Sequence, residues 1–102
     1  MACLHIVNKS PFERNTLSSC LQYAQSGDAV LLIEDAVVAL VEGTQWAALL
    51  AQAAHDQAIY ALSPDITARG LTAKIMEKGV MLVDYDGFVD LTVMYAKTHS
   101  WL

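Results

Sequence analysis

The chain has 102 residues, a length that predicts one domain over residues 1–102. Hydrophobic residues make up 55% and charged residues only 17%, against a typical charged share of roughly 25%, which excludes a disordered chain. The formal net charge is −5, so the chain lacks the positive field that attracts nucleic acid or an anionic membrane surface. So small a domain cannot hide all of its apolar surface, which predicts an oligomer or a subunit of a complex.

Neither targeting to the secretory pathway nor a membrane span is expected. The amino-terminal residues have no basic segment, and the longest apolar runs are far shorter than the roughly 20 residues of a membrane-spanning helix. The two cysteines, Cys3 and Cys20, match neither a CxxC motif nor a zinc-site spacing. They are therefore predicted to be reduced thiols in a cytoplasmic protein.

Short apolar runs alternate with helix-like stretches along the chain. In order, the pattern predicts a strand over 3–7, a helix from about 16 to a stop at Gly27, a strand over 29–33, helical stretches over 36–41 and 44–54, a strand over 58–62, a helical turn over 65–69, a strand over 80–83 and a helix over about 88–97. This alternation predicts a small doubly wound α/β domain, with about four mainly parallel strands and helices on both faces. In such sheets the functional crevice lies at the carboxyl ends of the strands.

The residues at those predicted strand ends are polar and mainly acidic. They are Asn8-Lys9-Ser10, Glu34-Asp35, Ser63 to Asp65 and Asp84 to Asp86. Carboxylates at these positions have two possible roles. They bind a hard cation or form part of a phosphoacceptor site, or they cap the helices that follow. Capping is the favoured interpretation, because the first strand does not end in an acidic pair. A flavodoxin-like ligand-binding or phosphoacceptor domain remains the more distant alternative.

The three histidines are dispersed, and no HExxH, GxSxG or phosphate-binding glycine motif accompanies them. No metal site is predicted. His55 and His99 are expected to be structural or solvated. His5 alternates with apolar residues in the first strand, so it is either a hydrogen-bonded core histidine or a residue of the rim.

Cys20 is the remaining candidate for chemistry. Its spacing from Leu17, Leu21 and Ala24 places it in the apolar stripe of the first helix, where a free cysteine is most simply a small buried hydrophobe. A reactive thiol needs access and positive potential instead, for which Lys9, Arg14 or His5 are the nearby candidates.

The segment HIVNKSPFERN, over residues 5–15, resembles the opening of the DsrH/TusB family of sulfur-relay subunits. Further matching pieces follow in the family's order: Glu34-Asp35, YALSPD over 60–65, ARGL over 68–71, VDY over 83–85, FVDLT over 88–92 and Trp101. The resemblance covers nearly the whole chain. It implies a DsrE/DsrF-like fold, and it implies no metal or organic cofactor.

The same resemblance implies a cytoplasmic hetero-hexamer of the DsrEFH or TusBCD kind, in which persulfide sulfur passes between protein cysteines. The partners would be DsrE/TusD-like and DsrF/TusC-like subunits, with a sulfur acceptor of DsrC/TusE type downstream. Cys20 matches the cysteine of DsrH-type members, which favours Dsr-type sulfur oxidation and a role for Cys20 as a persulfide carrier. The alternatives are a TusB-type subunit for 2-thiolation of the tRNA wobble uridine, and a noncatalytic scaffold.

Two expectations concern contacts between this chain and its surroundings. The Ala-rich middle helical region or the last helix is expected to supply part of the subunit contact. Trp101 and Leu102 are large apolar residues at the carboxyl end, and they are expected to dock on this domain or on a neighbour.

Overall fold

The computed structural model describes residues 2–76 and 78–101, over which strands and helices alternate. The strands are β1 (Cys3–Val7), β2 (Ala29–Leu32), β3 (Ala58–Leu62), β4 (Val80–Val83) and β5 (Lys97–Trp101). The helices are α1 (Thr16–Tyr23), α2 (Gln45–Ala53), α3 (Ser63–Ala68) and α4 (Tyr85–Met94), and a 3₁₀ helix spans Glu34–Leu40. None of the helices in these ranges is long and apolar enough to cross a membrane.

The strands form one parallel sheet in the order β4-β3-β2-β1-β5. β2 lies at its centre, and all four of its residues are buried, as its continuous apolar sequence predicts. On one face, Leu17 of α1, Leu50 of α2 and Ile66 of α3 pack with the 3₁₀ helix. On the other face Leu91 of α4 packs against Leu4 and Leu31. The predicted α/β fold with helices on both faces is confirmed.

β5 is the strand that the sequence pattern did not predict, so the prediction of about four strands was wrong. Its sequence, Lys-Thr-His-Ser-Trp, is polar and mostly exposed, and it resembles a loop more than a strand. Pairing with β1 along its whole length, from Cys3 opposite Lys97 to Val7 opposite Trp101, determines its conformation. Tertiary context therefore overrides local propensity here, and Trp101 is held in a strand. Leu102 lies outside the described residues.

Two helices begin earlier than predicted. α4 starts at Tyr85 and ends at Met94, because the Asp84 side chain accepts a hydrogen bond from the Gly87 N–H at 2.8 Å and caps the helix there. α3 starts at Ser63, since Pro64 in the first turn needs no hydrogen bond from its own nitrogen. Thr44 caps α2 as predicted, accepting from the Ala47 N–H at 3.1 Å.

Candidate functional site

Cys20 lies on the inner face of α1, one helical turn after Leu17, and both side chains are fully buried. Burial is the largest of the effects that raise the pKa of the Cys20 thiol to about 12, and Cys3 and Asp28 contribute to the same increase because both are negative when ionised. The thiol is therefore protonated at neutral pH in this conformation. A sulfur donor would reach it only after α1 moved away from the sheet.

The three predicted electrostatic helpers are not gathered around this thiol. Lys9 and Arg14 are exposed residues of the segment between β1 and α1. His5 is buried on β1, where its ring nitrogens bind other partners. In the part of the chain that the structure describes, the groups that act on the Cys20 pKa all raise it. The role of Cys20 as a persulfide carrier stays a prediction.

The structure brings His5 together with Asp28, a residue that sequence reasoning did not single out. Asp28 precedes β2, and its Oδ2 lies 2.9 Å from Nε2 of His5 in a buried contact. The same carboxylate accepts the Gln25 N–H at Oδ2 and the Cys3 N–H at Oδ1, each at 3.0 Å. Burial alone would raise the pKa of Asp28, but the hydrogen bonds from Gln25, His5 and Cys3 together hold that pKa below its usual range.

Trp101 completes the arrangement from β5. Its indole Nε1 lies 3.1 Å from Nδ1 of His5. An indole N–H only donates, so Nδ1 of His5 must accept and the ring proton is carried by Nε2, which donates to Asp28. Both nitrogens of His5 are thus engaged, and of the two sequence interpretations of His5 the structure supports the hydrogen-bonded core histidine.

A cavity of about 330 Å³ opens beside this cluster. Six of its lining residues are Cys3, His5, Tyr23, Asp28, Lys97 and His99. Cys3 and Lys97 are the first residues of β1 and β5, so the cavity lies at the amino ends of these strands. The predicted crevice lies at the opposite end of the sheet. The sequence pointed to His5 and Trp101 separately, but no signal marked Asp28 or the contact among the three residues, because that contact forms only when β5 pairs with β1.

Cys3 is the half-buried thiol of this cavity. Burial raises its pKa and Asp28 adds to the increase, whereas the nearby Lys97 opposes it. His99 is exposed and stacks on Trp101, with ring centroids 4.5 Å apart and planes inclined by 10°. The cavity therefore contains an accessible but un-ionised thiol, beside groups that mainly hold β5 in place.

Three of the acidic residues at the carboxyl ends of the strands, Asp35, Asp65 and Asp84, form hydrogen bonds or ion pairs within the chain. Asp65 Oδ2 accepts the Glu34 N–H at 2.6 Å, and Asp35 forms an ion pair of 2.8 Å with Arg69. Glu34 itself has a φ of 51°, in the left-handed region that disfavours residues with a Cβ. Over 2–76 and 78–101, no group of three or more His, Cys, Asp or Glu residues is arranged to hold a metal ion.

Comparison with known proteins matches nearly the whole chain to one family. The family described as DsrH-like protein matches residues 9–98. The TusB protein of Escherichia coli K12 is 36% identical over 98 residues, which cover 96% of this chain and 99% of that protein. The TusB protein of Shigella flexneri is 35% identical over the same shares of both chains.

Solved structures resemble the fold at lower sequence identity. The YchN protein of Escherichia coli superposes with a TM-score of 0.76, at 16% identity, over 99% of this chain and 100% of that one. A protein of unknown function from Methanobacterium thermoautotrophicum gives a TM-score of 0.63, also at 16% identity, over 94% and 95% of the two chains. At these identities the likeness concerns the fold alone.

Proposed function

Since this chain belongs to the DsrH/TusB family of sulfur-relay subunits, we propose that it is a TusB-type subunit of a cytoplasmic complex that passes persulfide sulfur toward 2-thiolation of the tRNA wobble uridine. The observation that carries the proposal is the 36% identity to TusB over nearly the full length of both proteins. The sequence alone favoured Dsr-type sulfur oxidation, on the single residue Cys20. Similarity along the whole chain supports the TusB-type alternative more strongly than one cysteine supports the other.

Family membership implies that the chain works in a complex with DsrE/TusD-like subunits. The full assembly that we propose adds DsrF/TusC-like subunits in a hetero-hexamer and a sulfur acceptor of DsrC/TusE type. The net charge of −5 supports delivery of sulfur through proteins rather than direct contact with tRNA.

The burial of Cys20 favours a second candidate role, that of a noncatalytic scaffold within this relay. A carrier thiol must attack the outer sulfur of a donor persulfide as a thiolate, which gives Cys20 persulfide and releases the donor thiol. A pKa of about 12 and complete burial oppose both the ionisation and the approach. We therefore propose that the main contribution of this chain is to assembly.

Replacement of TusB in Escherichia coli by this chain, co-expressed with its own DsrE/TusD-like and DsrF/TusC-like subunits, tests the pathway. We expect 2-thiolated wobble uridine, measured by mass spectrometry of digested tRNA, to be restored. Wild-type-like assembly without any restored thiolation would contradict the tRNA branch.

Cys20→Ser separates the carrier from the scaffold in the same strain, with Cys3→Ser as the matched control. A scaffold retains thiolation in both variants. In vitro, the assembled complex is incubated with a persulfidated donor and this subunit is read by intact mass. A gain of about 32 Da that disappears only in Cys20→Ser would establish the carrier role and contradict the scaffold.

A further inference from the structure

Helix α4 is apolar on two sides, one packed on the sheet and one exposed to solvent. Its inner side packs on the sheet through Phe88 and Leu91. On its outer side, Tyr85, Val89 and Val93 follow one another at a spacing of four residues, which aligns them along one face of the helix. Their side chains are 60%, 59% and 79% exposed. We call these three residues the α4 stripe.

Acidic residues border the α4 stripe on one side. Asp86 and Asp90 are also exposed and four residues apart, so they form a parallel row next to Val89 and Val93. The last turn of α4 contains no basic residue. The outer surface of this helix is therefore an apolar row beside a negative one.

The charge of this surface opposes a second copy of the same chain as its occupant. In a symmetric dimer the same patch faces itself, so Asp86 and Asp90 of one copy would lie near those of the other. Each copy also has a net charge of −5. Like charges placed opposite each other across an interface disfavour that pairing.

We propose that the α4 stripe is the docking surface for a different subunit of the relay, an inference that rests on the proposed function. The contacting surface of that subunit is apolar and bordered by lysine or arginine. Such a partner covers the apolar row and pairs its cations with the acidic row. Of the two helices expected from the sequence, α4 fits this role better than α2. The exposed large apolar side chain of α2 is Leu49, which is 40% exposed.

The test is co-purification of this chain with its DsrE/TusD-like and DsrF/TusC-like subunits, followed by titration of the separated components. We expect Val93→Asp, and the milder Val93→Ser, to weaken binding by about tenfold or more, as for residues at the centre of an interface. Leu49→Asp on α2 is the matched control and should bind like the wild type. Circular dichroism and thermal unfolding of each variant confirm that it folds.

The charge part of the proposal has its own readout. Asp86→Lys with Asp90→Lys should weaken binding more than Asp86→Asn with Asp90→Asn, and wild-type binding should weaken as salt rises to about 0.5 M. Binding that is strengthened by the lysine variant would overturn the basic border.

Three other results would overturn the docking surface. In the first, Val93→Asp binds as tightly as the wild type while Leu49→Asp does not, which leaves the proposed function intact and moves the contact to α2. In the second, the wild type forms a homodimer that Val93→Asp dissociates. In the third, the wild type binds neither subunit, which contradicts the proposed function as well.

Discussion

The indole of Trp101 donates a hydrogen bond to Nδ1 of His5, a residue 96 positions earlier in the sequence. The bond joins the edge strand β5 to the buried pair formed by His5 of β1 and Asp28. Because His5 in turn donates to Asp28, one chain of hydrogen bonds connects β5, β1 and the segment that leads into β2. The position of β5 therefore depends on side chains as well as on backbone pairing.

Replacement of Trp101 should lower the free energy of unfolding. Trp101→Phe retains an aromatic ring but leaves Nδ1 of His5 without its donor, at an expected cost of about 1–2 kcal/mol. Trp101→Ala also removes the half-buried ring from the core and should cost about 3 kcal/mol. Urea denaturation monitored by circular dichroism measures both. Equal stability of all three proteins would show that β5 is held by its backbone alone.

Asp28→Asn tests the buried carboxylate. The folded-state pKa of Asp28 lies below its ordinary value of 3.8, so this group stabilises the fold above that pH, and the contribution is lost as the pH falls through the folded pKa. We expect the variant to be less stable than the wild type by about 2–3 kcal/mol near pH 7, with the difference shrinking below pH 3.8.

The matched control for Asp28 is Asp35→Asn. Asp35 pairs with Arg69 at 2.8 Å, but its side chain is 62% exposed. Exposed ion pairs contribute about 0–1 kcal/mol, so this substitution should change stability little. A larger loss in Asp35→Asn than in Asp28→Asn would contradict the importance that we assign to the buried cluster.

Particular residues show where prediction from the sequence succeeded. β2 was placed to within one residue because four consecutive buried residues produce an apolar run, and the start of α2 was found because Thr44 is a good cap. Local patterns of this kind carry enough information for most of the fold. The family resemblance was also confirmed by near full-length relatives.

Prediction failed where a structure depends on distant pairing. The sequence of β5 has no apolar alternation, and its conformation comes from β1. The Asp28–His5–Trp101 cluster was missed for the same reason, because its three members are separate in sequence and each is ordinary in its local context. Cys20 was identified from the sequence, and its burial in the apolar stripe of α1 was foreseen. Its role in sulfur transfer depends on the donor and the partner subunits, which the sequence of this chain does not describe.

The two cysteines should react at different rates with iodoacetamide in the native protein. With a pKa of about 12, only about one Cys20 thiol in ten thousand is ionised at pH 8, and the side chain is fully buried. Cys3 is half-buried beside an open cavity and should be modified at least about tenfold faster. Peptide mass spectrometry after timed labelling measures the ratio. The same labelling in denaturant should modify both equally, and equal native rates would contradict the buried position of Cys20.

Glu34→Gly should stabilise the protein. Glu34 has a φ of 51°, where a Cβ costs about 1 kcal/mol and glycine has no such cost. We expect the free energy of unfolding to rise by about 0.5–1 kcal/mol. This net gain is smaller than the full cost of the Cβ because glycine has greater freedom in the unfolded chain. Glu34→Ala keeps the Cβ and serves as the control, with little change expected. Thermal unfolding measures both, and a gain in the alanine variant alone would mean that the glutamate side chain, rather than the backbone, is unfavourable.

The pairing of β5 with β1 also affects how quickly the chain folds. Segments almost a hundred residues apart must meet, and the entropy lost in closing that loop is offset only once the contacts between β5 and β1 form. Until β5 arrives, β1 presents an open edge that any extended segment of another molecule can pair with. The wait for β5 is therefore the period in which newly folding molecules are most prone to aggregate, and its length affects how much of the protein reaches the native state.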